Sequence, residues 1–212
     1  MNVLVSFLHF VLHMNTQLGG FVAQYGLWVY AFLFLVIFCE TGLVVTAIMP
    51  GDSLIFAAGA IAATGALNVY VLTLLLIAAA FLGNLSNYFI GYKLGHLFFT
   101  NENSLFLKPS YLNKTHAFYE KYGAKTVVIA RFMPIVRTFA PFVAGMGEMG
   151  HAKFVFYSFL GALFWILLLL WSSYWFGNVP AVKNHFSIVI LVIIILSVLP
   201  PVVEYVRTRR HA

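Results

Sequence analysis

The chain has 212 residues, 62% of them hydrophobic and 8% charged, with a mean hydropathy of +0.95. Soluble domains carry about 25% charged residues, so this composition excludes a soluble globule and predicts a single membrane domain. The net charge of +6 is not a nucleic-acid signal, because the bases gather in residues 93–125 and in the tail Arg207, Arg209 and Arg210, where the positive-inside rule accounts for them.

Residues 1–24 are apolar with no fixed charge and predict an interfacial helix or a short span. No Lys or Arg precedes the first apolar run and no small-residue cleavage site follows it, so the pattern is not that of a cleavable signal. Cys39, the single cysteine, is read as a packing residue; neither an internal disulfide nor a cysteine metal cluster is expected.

Residues 25–92 form the first predicted repeat. Its stretch Cys39–Leu67 is too long for one clean span and carries Pro50-Gly51 in its middle, which breaks a helix. Each arm is roughly 10–16 residues, or roughly 15–24 Å, too short for a hydrocarbon core of about 30 Å. A re-entrant hairpin is the natural structure. Asn68–Tyr92 then reads as a full span, with Gly83, Gly91 and Gly95 placed for close helix approach.

Residues 93–125 are the one substantial polar loop, in which Pro109–Gly123 predicts a short amphipathic helix ended by Gly123. Residues 126–176 repeat the plan. Pro134 and Pro141 prevent one straight helix over Thr126–Met149, and Lys153–Phe176 is a full span with Trp171–Trp175 suited to an interfacial belt. Trp165 lies in the same span. Residues 186–206 are the last span, before the basic tail.

A basic tail belongs in the cytoplasm. Counting back through the spans, the two hairpins enter from opposite sides, with Lys183 as one exception to the charge rule. The expected fold is therefore an all-α polytopic membrane protein with two oppositely oriented re-entrant helical hairpins, the outline of an inverted-repeat transporter. A transmembrane β-barrel is excluded by the lack of alternating segments.

Before Tyr92 the only formal charges are Glu40 and Asp52, and Arg131 and Arg137 lie in the second apolar hairpin. Each charge in a bilayer costs roughly 2.5–3.5 kcal/mol on insertion scales, so such residues pair, line wet cavities or handle charged substrates. Glu40 and Asp52 are the candidate proton-coupling acids, since a low-dielectric site favours the neutral carboxyl. Asp52 or Ser53 also suits the N-cap of a half-helix. Arg131 and Arg137 offer planar forks for a phosphate, or for the acids themselves in a structural ion pair. Thr138 is read as a cap of the second arm and an added hydroxyl donor, and a helix start there would turn a positive dipole end toward an anion.

Other motifs fail. The letters GDSL at Gly51–Leu54 lie in a hydrophobic hairpin, and no Asp-x-x-His follows near the C-terminus. An intramembrane aspartyl protease needs two aspartates. No spacing supports a metal site or a nucleophile–base set, so neither a metal, a cofactor nor an enzyme is expected. Gly91–Gly95 has the spacing of a helix contact and allows a homo-oligomer.

The stretches Glu40–Leu54 and Ala130–Gly145 resemble the paired motifs of the DedA family of bacterial membrane proteins, related to the VTT-domain scramblases, and Gly83–Gly95 is similar to the segment between them. The resemblance covers roughly residues 25–175. It implies re-entrant hairpins that meet in the membrane, essential acids at Glu40 and Asp52, and essential arginines at Arg131 and Arg137. It also implies transport of undecaprenyl phosphate, or of another phosphate-bearing lipid, across the bacterial cytoplasmic membrane, coupled to protons in some members. Asn84 stands where an acid is expected in many relatives. Two further readings stay open: an energy-independent phospholipid scramblase, and a structural or stress-related membrane factor.

Overall fold

A computed structural model describes residues 14–43, 51–98, 117 and 119–179. All regular structure among them is helical. The helices are α1 (Met14–Gly42), α2 (Gly51–Ala63), α3 (Val69–Phe98), α4 (Thr126–Ile129), α5 (Pro134–Val143), α6 (His151–Ile166) and α7 (Ser172–Asn178). Tight turns flank α4 at Gly123–Lys125 and Ala130–Phe132, and wide π turns follow α5 and α6 at Ala144–Glu148 and Leu167–Trp171. Pro50, most of the predicted 109–123 helix, the 186–206 span and the basic tail lie outside the described residues.

Two apolar helical runs, Val69–Lys93 with 25 residues and His151–Asn178 with 28, are long enough to cross a membrane. At 1.5 Å per residue each exceeds a hydrocarbon core of about 30 Å. Both lie within two residues of the spans read from the sequence. By contrast, α2 and α5, with 13 and 10 residues, reach only about 20 and 15 Å, short of that thickness.

The described residues form two compact units. The first draws on residues 14–32, 51–73 and 167–179. Here α2 lies on α7 with small residues at the seam. A Cβ on Gly59 would fall 1.9 Å from Ser173 Oγ, and one on Gly177 would fall 2.9 Å from Ala63 Cβ. After α2 the chain turns through Gly65 at φ +85°, a conformation glycine adopts without strain. Asn68 then caps α3, its Oδ1 accepting from the amides of Tyr70 and Val71 at 2.9 and 3.2 Å.

The second unit draws on the described residues of 33–43 and 74–166. The end of α1 crosses α3 at Gly42 and Gly83, where a Cβ on Gly42 would lie 3.3 Å from the Gly83 backbone. Farther along α3, Gly91 rests on the Phe142 carbonyl, and Gly145 rests on that of Tyr88. Tyr88, Val127, Ala130, Val136, Ala140, Val143 and Phe154 form the core of this unit. Tyr88 stacks on Phe154 at 4.3 Å and donates to the Met149 carbonyl at 2.8 Å.

Pro134 does interrupt the helix. The residue before a proline is driven out of the α region, and Met133 is extended at φ −121°, ψ 109°. Pro134 opens α5, where its missing N–H costs nothing. Pro141 behaves differently from the expectation: it lies inside α5, which runs on to Val143. It removes one i→i−4 hydrogen bond near the helix end, and the chain continues helically into the wide turn at Ala144–Glu148.

Candidate functional site

Glu40 sits in the last turn of α1, one residue before Thr41 and two before the Gly42–Gly83 crossing. That tight crossing leaves its side chain only 1% exposed. Arg131 occupies the short turn Ala130–Phe132 and is 6% exposed. The extended Met133 then redirects the chain, and Arg137 follows in the first turn of α5, its amide bonded to the Met133 carbonyl at 2.9 Å. The break before Pro134 thus lies between the two arginines.

The two segments meet at the charges. Arg137 Nη2 donates to Glu40 Oε1 in an ion pair between residues 97 apart in the chain. Isolated charges in such an interior are costly, and the pairing offsets much of that cost. Both guanidinium groups also lie over one indole: Arg131 and Arg137 Cζ are 5.3 and 5.9 Å from the Trp165 ring centroid, within cation–π range. Gly161, one turn before Trp165 on α6, makes room for Arg131. A Cβ there would stand 3.0 Å from Arg131 Nε and 3.2 Å from Cδ.

Glu40, Thr41, Asn84, Arg131, Arg137, Thr138 and Trp165 line a small cavity of about 20 Å³. That is enough for a water molecule and not for a phosphate group. Asn84 donates to Ser158 Oγ at 3.0 Å, which fixes its amide at the cavity wall. Asn87, fully buried, donates to the carbonyls of Thr41 and Thr138 at 3.2 and 2.9 Å.

Four of the five polar residues singled out from the sequence therefore come together in the second unit: Glu40, Arg131, Arg137 and Thr138. Asp52 belongs to the first unit, in the first turn of α2, where its side chain is exposed and its charge suits the positive end of the helix. Gly51 is the first residue of α2. Thr138 departs from the expectation: it is not a cap. Pro134 starts α5, so Met133 holds the cap position and Thr138 is buried in the helix body. No helix start faces the cavity at Thr138.

Sequence reasoning missed Trp165, Gly161 and Asn87. Trp165 was grouped with the aromatics of its span, yet it is 4% exposed and touches both arginines. The amides Asn84 and Asn87 were the readable signal, since two polar side chains three apart on an apolar span must find partners.

Among the described residues, helical structure with two membrane-length apolar helices and a charged cavity lined from several helices defines a helical membrane protein. The VTT domain profile matches residues 49–175. The chain belongs to the DedA family of VTT-domain membrane proteins. It is 50% identical to Protein DedA of Escherichia coli strain K12 over 214 aligned residues, covering 100% of this chain and 98% of that protein. It is 37% identical to the uncharacterized membrane protein Rv0364 of Mycobacterium tuberculosis strain H37Rv, covering 84% and 79% respectively. It is 33% identical to the inner membrane protein YqjA of Escherichia coli strain K12, covering 74% and 71%. No solved structure matches it.

Proposed function

We propose that this protein carries a phosphate-bearing lipid, undecaprenyl phosphate foremost, across the bacterial cytoplasmic membrane, with protons as the coupling ion. The observation that carries this reading is the pair of guanidinium groups, Arg131 and Arg137, held over Trp165 on one buried cavity. Among the described lining residues the bases outnumber the acid two to one, which suits an anionic headgroup.

The cavity is too small for phosphate while Glu40 holds Arg137. Binding therefore begins with separation of the pair. A proton on Glu40 removes its charge and frees the Arg137 fork for the headgroup, while Arg131 adds a second fork. The lipid tail stays in the bilayer along the helix flank. Asp52 serves as a second proton site on α2. In this reading α2 and α5 are arms of two re-entrant hairpins of opposite orientation, an inverted repeat, with the C-terminus in the cytoplasm. The lengths of both helices, too short for a full span, support it.

The test uses purified full-length protein in proteoliposomes containing undecaprenyl phosphate, with headgroup accessibility followed with and without an imposed pH gradient. Movement that needs Arg131, Arg137 and Glu40 and follows the gradient is the expected result. Movement without any pH dependence would instead identify an equilibrating scramblase. One observation favours a second reading: the site is closed down to the size of a water, as a purely structural ion pair would be. Folded protein that moves neither this lipid nor ordinary phospholipids establishes that second reading and ends the first.

A further inference from the structure

The acceptors of the Asn87 amide have a sequence relationship to the ion pair. Nδ2 donates to the carbonyl of Thr41, the residue after Glu40, and to the carbonyl of Thr138, the residue after Arg137. The two amide hydrogens of one side chain are thus spent on the two backbone segments that carry the two charges. Asn87 is 0% exposed, so neither bond competes with bulk water. Its Oδ1 is buried and accepts no hydrogen bond from a described residue. With both acceptors being carbonyls, the amide cannot turn over without setting oxygen against oxygen.

We infer that Asn87 is a positioning residue that latches the Glu40–Arg137 pair shut. It fixes the backbone beside each partner to α3, so neither charged side chain can withdraw by a movement of its own segment until an Asn87 bond breaks. Breaking both bonds in a dry interior leaves the two amide hydrogens of Asn87 without acceptors, and water entry satisfies them together with Oδ1. Opening of the pair and hydration of the Asn87 amide are then one event. This deepens the lipid-carrier reading by supplying a control on opening of its site, but the latch is measurable without any lipid.

The experiment follows the rate at which a membrane-permeant carbodiimide modifies Glu40 in purified full-length protein. The Glu40 peptide is quantified by mass spectrometry, and Glu40→Gln serves as the blank. Arg137→Ala, which removes the partner, sets the fast limit. Asn87→Leu, close in shape and lacking both donors, is expected to label at least tenfold faster than wild type. Tyr119→Phe, which deletes a buried bond to the Ala140 carbonyl on the same helix as Arg137, is expected to label at the wild-type rate. A general loosening of the fold would accelerate both variants alike, and that outcome overturns the latch. So does folded Asn87→Leu protein labelling at the wild-type rate. If Asn87→Leu does not accumulate, Asn87→Ser decides: it keeps at most one of the two bonds, so faster labelling supports the latch and wild-type labelling overturns it. Because the readout is a chemical modification, lipid transport can fail in proteoliposomes while the latch stands.

Discussion

Glu40 and Arg137 differ in how far water can rescue them, and that difference sets the order of two substitutions. The Glu40 side chain is 1% exposed and that of Arg137 15%. Removing one partner of a buried pair costs about 3–5 kcal/mol, because a charge is left in the interior. Arg137→Met, which strands the deeper charge, is expected to destabilise more than Glu40→Gln. The double variant should recover part of the loss, with a coupling of about 1–3 kcal/mol. Unfolding titrations in mixed micelles measure all four corners of the cycle, and a coupling near zero would show that the pair is not an energetic unit. Gly161→Ala tests the support of Arg131. The added methyl meets Nε and Cδ at 3.0 and 3.2 Å, an overpacking expected to cost about 1–3 kcal/mol and to lower headgroup movement with Glu40 and Arg137 intact. Normal stability and transport in that variant would remove Gly161 from the site. At this scale the charges themselves were legible, since formal charges are so few in their apolar segments. The partner of Glu40 was not, because both arginines offer the same fork and only the folded α5 decides between them. Thr138 was misread because its role as a cap depended on where α5 begins, and Pro134 rather than Pro141 sets that start.

Helix crossings explain why the site closes so tightly. Gly83 faces Thr41 Oγ1 and the Phe38 carbonyl, Gly91 the Phe142 carbonyl, and Gly145 the Tyr88 carbonyl. Added Cβ atoms would approach the nearest of these atoms to 1.9, 2.1 and 2.0 Å respectively. A backbone carbonyl cannot swing aside as a long side chain can, so Gly91→Ala and Gly145→Ala must drive α3 and the end of α5 apart. Both are expected to abolish accumulation of folded protein, as judged by size-exclusion profiles in detergent. Gly150→Ala, with no neighbour within 4 Å of the added atom, should accumulate like wild type. Wild-type yield of Gly91→Ala would mean that these helices do not pack so closely in the membrane. Elements were well marked in the sequence where one physical rule dominates: span length from hydropathy, the Met133 break from the proline that follows. They were poorly marked where rules compete. Pro141 signals a break, but tertiary packing of buried Ala140, Phe142 and Val143 keeps the helix going past it.

For the whole molecule the solvent is partly lipid. Phe156, Phe164 and Leu168, 59%, 57% and 48% exposed along the His151–Asn178 span, present apolar surface that suits acyl chains and not water. Leu168→Arg is expected to raise the insertion cost of this span by about 2.5–3.5 kcal/mol, read as a lower inserted fraction in a glycosylation-reporter assay; unchanged insertion would mean that this face is not in lipid. Membrane character and family were legible from composition and the paired motifs. Glu40 and the arginines fall in one compact unit and Asp52 in the other.

The sequence distance across the ion pair has a consequence for biogenesis. Glu40 leaves the ribosome 97 residues ahead of Arg137, which at usual rates of synthesis is about 5–20 s. During that interval an acid destined for the interior has no arginine from α5 to meet it. The nascent first half must therefore wait with Glu40 protonated or held at the membrane surface, and a chain cut short before Arg137 is left with the acid and no means of seating it.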